Sequence, residues 1–334
     1  MPHGTEPGNA GLPVVLLLPG QGSQHPRMAA GLYHRDETFT YWMDEAFAHF
    51  QEDGPRLRRE WLAQSPSAEF DDVTTAQPLL YAVNYALAKM VLSWGIRPAA
   101  LLGHSVGEFT AAALAEVFDF ADGARLMISR IRSFADTPPG GMLAVAASVA
   151  EIADLLGPDV HLAAVNAARQ LLLAGERPVL DKAARQLEER GFTCRDVLAR
   201  QAFHSPVVDG AVRATLPAFS TVALRPPRIT VFSAYTQTML SDELAVNGEF
   251  WAWQAARTVY FAPTLTALLS QFDCLLLETG PGDGLTRVAR RQRRVVERQS
   301  IARSLLPGGL PDDAAVLASA AQARQLMLSG APRV

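Results

Sequence analysis

Cysteine is almost absent from this chain: two in 334 residues, Cys194 and Cys274. Two isolated cysteines make neither a disulfide framework nor a metal motif, and they suit a reducing compartment, expected to be the cytoplasm. An excess of charge of one sign is also lacking. The net charge is −4 and the isoelectric point about 6.0, which excludes a globally basic nucleic-acid binder. No apolar run reaches the ~18 residues of a membrane span. Residues 1–8 have no basic region, and the apolar "LPVVLLLPG" that follows is short. It reads as a first strand, not as a leader. Internal repeats and low-complexity segments are missing. Finally, none of the seven histidines follows His204.

What is present is core material. Hydrophobic residues make up 49% and charged residues 19%, enough for a large domain and a smaller one. Residues 13–18 read as a buried strand, and 37–63, 76–95 and 121–135 as helices. "TPPGG" at 137–141 breaks the last of these. The segment that follows has a β-α-β-β-α-β rhythm, including a helix over 149–157, and is expected to be a ferredoxin-like insert. "ITVFSAY" and "CLLLETGPGDGL" then read as further buried strands with turns. The expectation is an α/β fold. Its large domain, with a mostly parallel sheet, spans 1–140 and 203–334, and a small subdomain spans 141–202.

"LLGHSVGEFTAAALAEVF", residues 101–118, places Ser105 between Gly103 and Gly107 after an apolar run and before good helix formers. That is a strand–turn–helix elbow, which exposes a serine hydroxyl above a helix N-terminus. A Gly-rich turn with a capping serine is the plainer alternative. A serine nucleophile needs a base, usually histidine. The hydrolase order with a late histidine is disfavoured, because the chain has none after His204. His204, in "RQAFHSPVV", sits at the expected domain junction, where it could face the elbow across a cleft. Otherwise it is a loop histidine.

On the helix "RLMISRIRSF", Met127, Arg130, Ile131 and Phe134 share one face. A cation on an apolar face needs an anionic partner, either a structural carboxylate or a ligand. Arg287, Arg290, Arg291 and Arg294 recur at helical spacing, which predicts a basic stripe opposite Leu285, Val288 and Val295.

"LLLPGQGSQ", "AQPLLYAVNYALAKMVLSWGIRPAALLGHSVGEFTAAALAEVF", "QAFHSPVV" and "LETGPGDGLTRVARR" occur in this order. Together they resemble a family containing malonyl-CoA:acyl carrier protein transacylases and the acyltransferase domains of polyketide synthases. The resemblance covers nearly the whole chain. It implies an α/β-hydrolase-like core with a ferredoxin-like insert, and ping-pong transfer of an acyl group through a serine ester. The donor would be acyl-CoA or a phosphopantetheinyl carrier protein and the acceptor an acyl carrier protein, in polyketide, fatty-acid-like or antibiotic biosynthesis. No bound cofactor or metal, no nucleic acid and no membrane would be involved. A free-standing monomer acting in trans is the expectation.

By the same resemblance Ser105 is the nucleophile and His204 the base, oriented by a backbone carbonyl matched to Gln254. Gln21 shapes the oxyanion hole, with the Val106 N–H as main donor. His104, Phe203 and Asn166 line or support the acyl pocket, and Arg130 grips a malonyl carboxylate. An acidic carrier protein would dock on the arginine stripe. Val106 and Phe203 resemble malonyl-selective members. Gln201, Ile131, Phe134 and the pair Ala167–Ala168 depart from the family's pattern. These departures leave room for an unusual, uncharged or aminoacyl group moved between carriers. A carrier-protein thioester hydrolase is a further alternative, which Arg130 disfavours.

Overall fold

The computed structural model describes residues 11–329. The reading of residues 1–8, and residues 330–334 of the expected large domain, lie outside the described residues. Two apolar runs make the centre of the larger sheet. β1 (Val14–Leu18) and β2 (Ala100–Gly103) are buried along almost their whole length, as strands covered on both faces must be. They pair in parallel. β9 (Leu275–Glu278) lies parallel on the other side of β1, and β10 (Ile301–Ser304) extends the sheet beyond it. β7 (Val231–Ser233) runs parallel to β2, and the short β8 (Thr238–Met239) turns back against β7. The order is β10-β9-β1-β2-β7-β8.

A second sheet holds β3 (Gly140–Val145), β4 (His161–Ala167), β5 (Gln170–Glu176) and β6 (Cys194–Val197), in the order β4-β5-β3-β6 and antiparallel throughout. Its first and third strands are central, as two successive crossovers require. The helix Arg177–Glu189 covers it through Leu180, Ala183 and Leu187, which pack with Leu143, Leu171 and Leu173.

Two expected helices are corrected. Over 149–157 the chain makes only a 3-10 turn, Ala150–Ile152. Glu151 is drawn back to the Ser148 N–H and hydroxyl and out to Arg169, and Gly157-Pro158 ends the segment before a second turn can form. The span 37–63 is two helices, Glu37–His49 and Gly54–Leu62. Gln51 adopts a left-handed conformation, φ 52°, between them. Pro55 opens the second, where its missing N–H costs nothing.

Candidate active site

The carboxyl ends of β1, β2, β7 and β9 form one edge of the large sheet, where ligands of parallel α/β sheets gather. β2 ends at Gly103, and the helix Val106–Leu114 starts three residues later. A side chain on Gly103 would overlap the backbone of Glu108, and one on Gly107 would overlap that of Leu18. Ser105 takes φ 53° and ψ −119°, a strained conformation for a residue with a side chain. It does not cap the helix. Its hydroxyl turns instead to His204, with Oγ 2.8 Å from Nε2.

The tautomer of His204 follows from its other nitrogen. Nδ1 lies 3.1 Å from the Gln254 carbonyl and 2.9 Å from that of Arg257. Carbonyls only accept, so Nδ1 carries the proton and Nε2 presents its lone pair to Ser105. The His204 N–H donates to the Ala255 carbonyl at 2.6 Å, which holds the residue at φ 61°. Burial, with His104 and Arg130 adding to it, pushes His204 down to about 3. The ring is therefore neutral at pH 7 and free to accept a proton.

Gln21 lines a cleft beside the elbow, a space of about 580 Å³ that also touches His104, Asn166, Arg195 and Arg287. Its side-chain amide donates to the Asp71 carbonyl at 3.2 Å and accepts from Gln77. The side chain thus pins the loop, and the backbone N–H is what Gln21 offers the cleft. Val106 is the first residue of its helix, so its N–H has no intrahelical acceptor. His104 Nε2 meets Asn166 Oδ1 at 2.7 Å, tying the elbow to β4. β4 is also bridged to the loop behind His204, since Val165 N–H donates to the Val259 carbonyl at 2.8 Å.

Arg130 is 4% exposed. The structural carboxylate allowed for in the sequence is not there: among the described residues no acidic group pairs with it, and its Nε has no acceptor. Its guanidinium carbon stands 5.6 Å from the centre of the Phe134 ring. Phe134 meets Phe203 edge-on at 5.1 Å, and Ile131 is buried beside them.

The arginine stripe does not form as expected. The chain there makes two short helices, Gly284–Ala289 and Arg293–Val296, because Gln292 is extended at φ −69°, ψ 139°. Arg287 pairs with Asp283 and Arg294 with Asp273. Arg290 reaches the Ala302 carbonyl, and Arg291 is exposed. The Glu278 of "LETGPGDGL" is buried and accepts from the Leu285 and Thr286 N–H groups, so this motif fixes a helix start behind the cleft.

Two residues of the site were not singled out in the sequence. Glu108 is buried, accepts from the Ala234 N–H at 2.8 Å and meets the Gln254 amide at 3.0 Å. It braces the loop whose carbonyl holds His204. A lone acid inside the apolar run "VGEFTAAAL" was the available signal. Desolvation pushes Glu108 up to about 8, so it is mostly protonated at neutral pH. Glu108→Ala should cost about 3 kcal/mol by orphaning both donors. Glu108→Gln keeps an acceptor for the Ala234 N–H and lets the Gln254 amide turn its unpaired oxygen to the new NH2, so it should hold the melting temperature near wild type. Equal losses in chemical denaturation would contradict this bracing. The other residue is Tyr235, just past β7, whose ring centre is 6.2 Å from that of His204.

Residues 15–330 match the family described as "Acyl transferase domain". The chain is 36% identical over 279 residues to a component of the phenolphthiocerol/phthiocerol polyketide synthase of Mycobacterium tuberculosis, covering 83% of this chain and 19% of that protein. It is 32% identical over 285 residues to the spectinabilin polyketide synthase system protein NorB of Streptomyces orinoci, covering 83% and 13%. The chain thus spans about a fifth or less of these relatives. Among solved structures it resembles the acyl transferase domain of SpnD in complex with 2-(pent-4-yn-1-yl)malonyl, with TM-score 0.87 and 32% identity over 96% of this chain and 77% of that one. The fold is also that of FabD from Acinetobacter baumannii, with TM-score 0.83 and 21% identity over 96% and 100%. Among the described residues, no helix is long and apolar enough to cross a membrane.

Proposed function

Because the chain belongs to the acyl transferase domain family and is an acyltransferase, we propose that it moves a malonyl-type acyl group through an ester on Ser105. The donor is a thioester of coenzyme A or of a carrier protein, and the acceptor is the phosphopantetheine thiol of an acyl carrier protein. The observation that carries this reading is Arg130, a buried cation without an anion beside a neutral Ser105–His204 pair. A free carboxylate on the acyl group supplies what the protein leaves out. The malonyl-type group held by the SpnD domain supports the same class.

In the first half-reaction Ser105 Oγ attacks the thioester carbonyl while Nε2 of His204 takes its proton. The carbonyl oxygen gains charge at the helix start, where the Val106 N–H, with that of Gln21, is free to donate. Collapse expels the thiolate, which takes the proton back from His204. In the second half-reaction His204 deprotonates the acceptor thiol, which attacks the serine ester and restores Ser105. A carboxylate at Arg130 also cancels one of the charges that hold His204 down. Binding the right acyl group therefore strengthens the base as well as positioning the carbonyl. The carrier approaches at the cleft mouth, where Arg195 and Arg287 stand, with Arg290 and Arg291 on the surface beside it.

Arg130→Ala tests the reading. Acylation by malonyl thioesters should fall roughly 10- to 100-fold, the worth of a charge-assisted pair, while acylation by acetyl thioesters should hold or improve. Rates from rapid-quench intact mass measure both. Equal losses would make Arg130 a structural residue and hand the site to an uncharged acyl group.

A further inference from the structure

Tyr235 packs beside His204, with ring centres 6.2 Å apart, within electrostatic reach of Arg130, and it has the same deficiency. Its hydroxyl is shielded from solvent and, among the described residues, has no hydrogen-bond partner. The hydroxyl comes near Ser105 and the guanidinium of Arg130 without a bond of sound geometry to either. Neither neighbour resolves this. A guanidinium only donates, and Ser105, engaged with His204, makes no hydrogen bond of sound geometry with the tyrosine. Glu108 is already engaged by Ala234 and Gln254. Ile131, next to Arg130 in the chain, and Phe134 and Phe203, which pack near it, are apolar.

Two buried donors with no acceptor therefore stand together beside the nucleophile. Burying such donors costs free energy unless a ligand satisfies them. A ligand that does so must bring negative charge and more than one acceptor atom, and a carboxylate brings both. We propose that Tyr235 is a second anchor for the acyl group, its O–H donating to the carboxylate that Arg130 grips. This rests on the malonyl reading above and deepens it. Contacts from two sides fix the direction of the acyl chain as well as its charge. The thioester carbonyl is then delivered to Ser105 in one orientation.

Tyr235→Phe fills the same space without the hydroxyl. Self-acylation of the full chain by malonyl-CoA and by acetyl-CoA is the readout, with Arg130→Ala measured in parallel. The expected result is a malonyl rate lower by about tenfold or more and an unchanged acetyl rate. An equal fall with both donors would place the hydroxyl's action on Ser105 and overturn the proposal. An unchanged malonyl rate would reduce Tyr235 to packing. If Arg130→Ala erases the malonyl preference and Tyr235→Phe does not, the second anchor alone is wrong. If neither variant changes the preference, the malonyl reading itself is wrong.

Discussion

Replacing Ser105 with alanine is expected to leave no acyl-enzyme and to lower transfer by on the order of 10⁴-fold or more. The reason is that neither cysteine of the chain can take over. Cys274 is wholly buried just before β9, and burial pushes its thiol up to about 12. Cys194 lies on β6 at the edge of the small sheet, its thiol also raised by burial. Neither supplies a thiolate at neutral pH. The fold should survive, because the elbow depends on Gly103 and Gly107 and not on the hydroxyl, which makes no cap bond. Intact mass after incubation with an acyl thioester measures the adduct, and a melting curve checks the fold. A stoichiometric adduct on another residue of the alanine variant would remove Ser105 from its role.

His204→Ala should slow both half-reactions by on the order of 10³-fold, since one base serves each of them. The burial of His204 adds a pH signature. An exposed histidine titrates near 6.5, whereas this one is held down to about 3. The base works only when unprotonated. A lowered value therefore keeps it active as pH falls, and single-turnover acylation should stay flat from about pH 8 to about pH 5. A loss of rate with a midpoint near 6.5 would mean that His204 is solvated in the working enzyme.

The parts of this site that local chemistry dictates were readable from the chain. The elbow was, because only glycine fits where the strand end and helix start nearly touch. The buried strands were, because a parallel sheet covered on both faces demands continuous apolar runs. His204 stood out once the hydrolase order failed for want of a later histidine. Its support stood out only in part: the resemblance pointed to the Gln254 carbonyl, whereas Arg257 lends its own through backbone geometry that its side chain does not announce. Tyr235 follows a three-residue strand, and no spacing ties it to Arg130. The arginine stripe misled for a related reason. Helical spacing assumes one helix, but Gln292 leaves the helical region, and Asp283 and Asp273 draw two of the arginines into local pairs. β8 has too few residues for periodicity to reveal it, and β10, Ile301–Ser304, is not a continuous apolar run.

The central claim is that a buried cation selects the acyl group that Ser105 accepts. Its most direct test is competition in one tube. The wild-type chain is mixed with equal malonyl-CoA and acetyl-CoA, quenched before saturation, weighed intact and digested to locate the adduct. The account predicts malonyl on Ser105 in large excess over acetyl. Acetylation of Ser105 at an equal or higher level would contradict it.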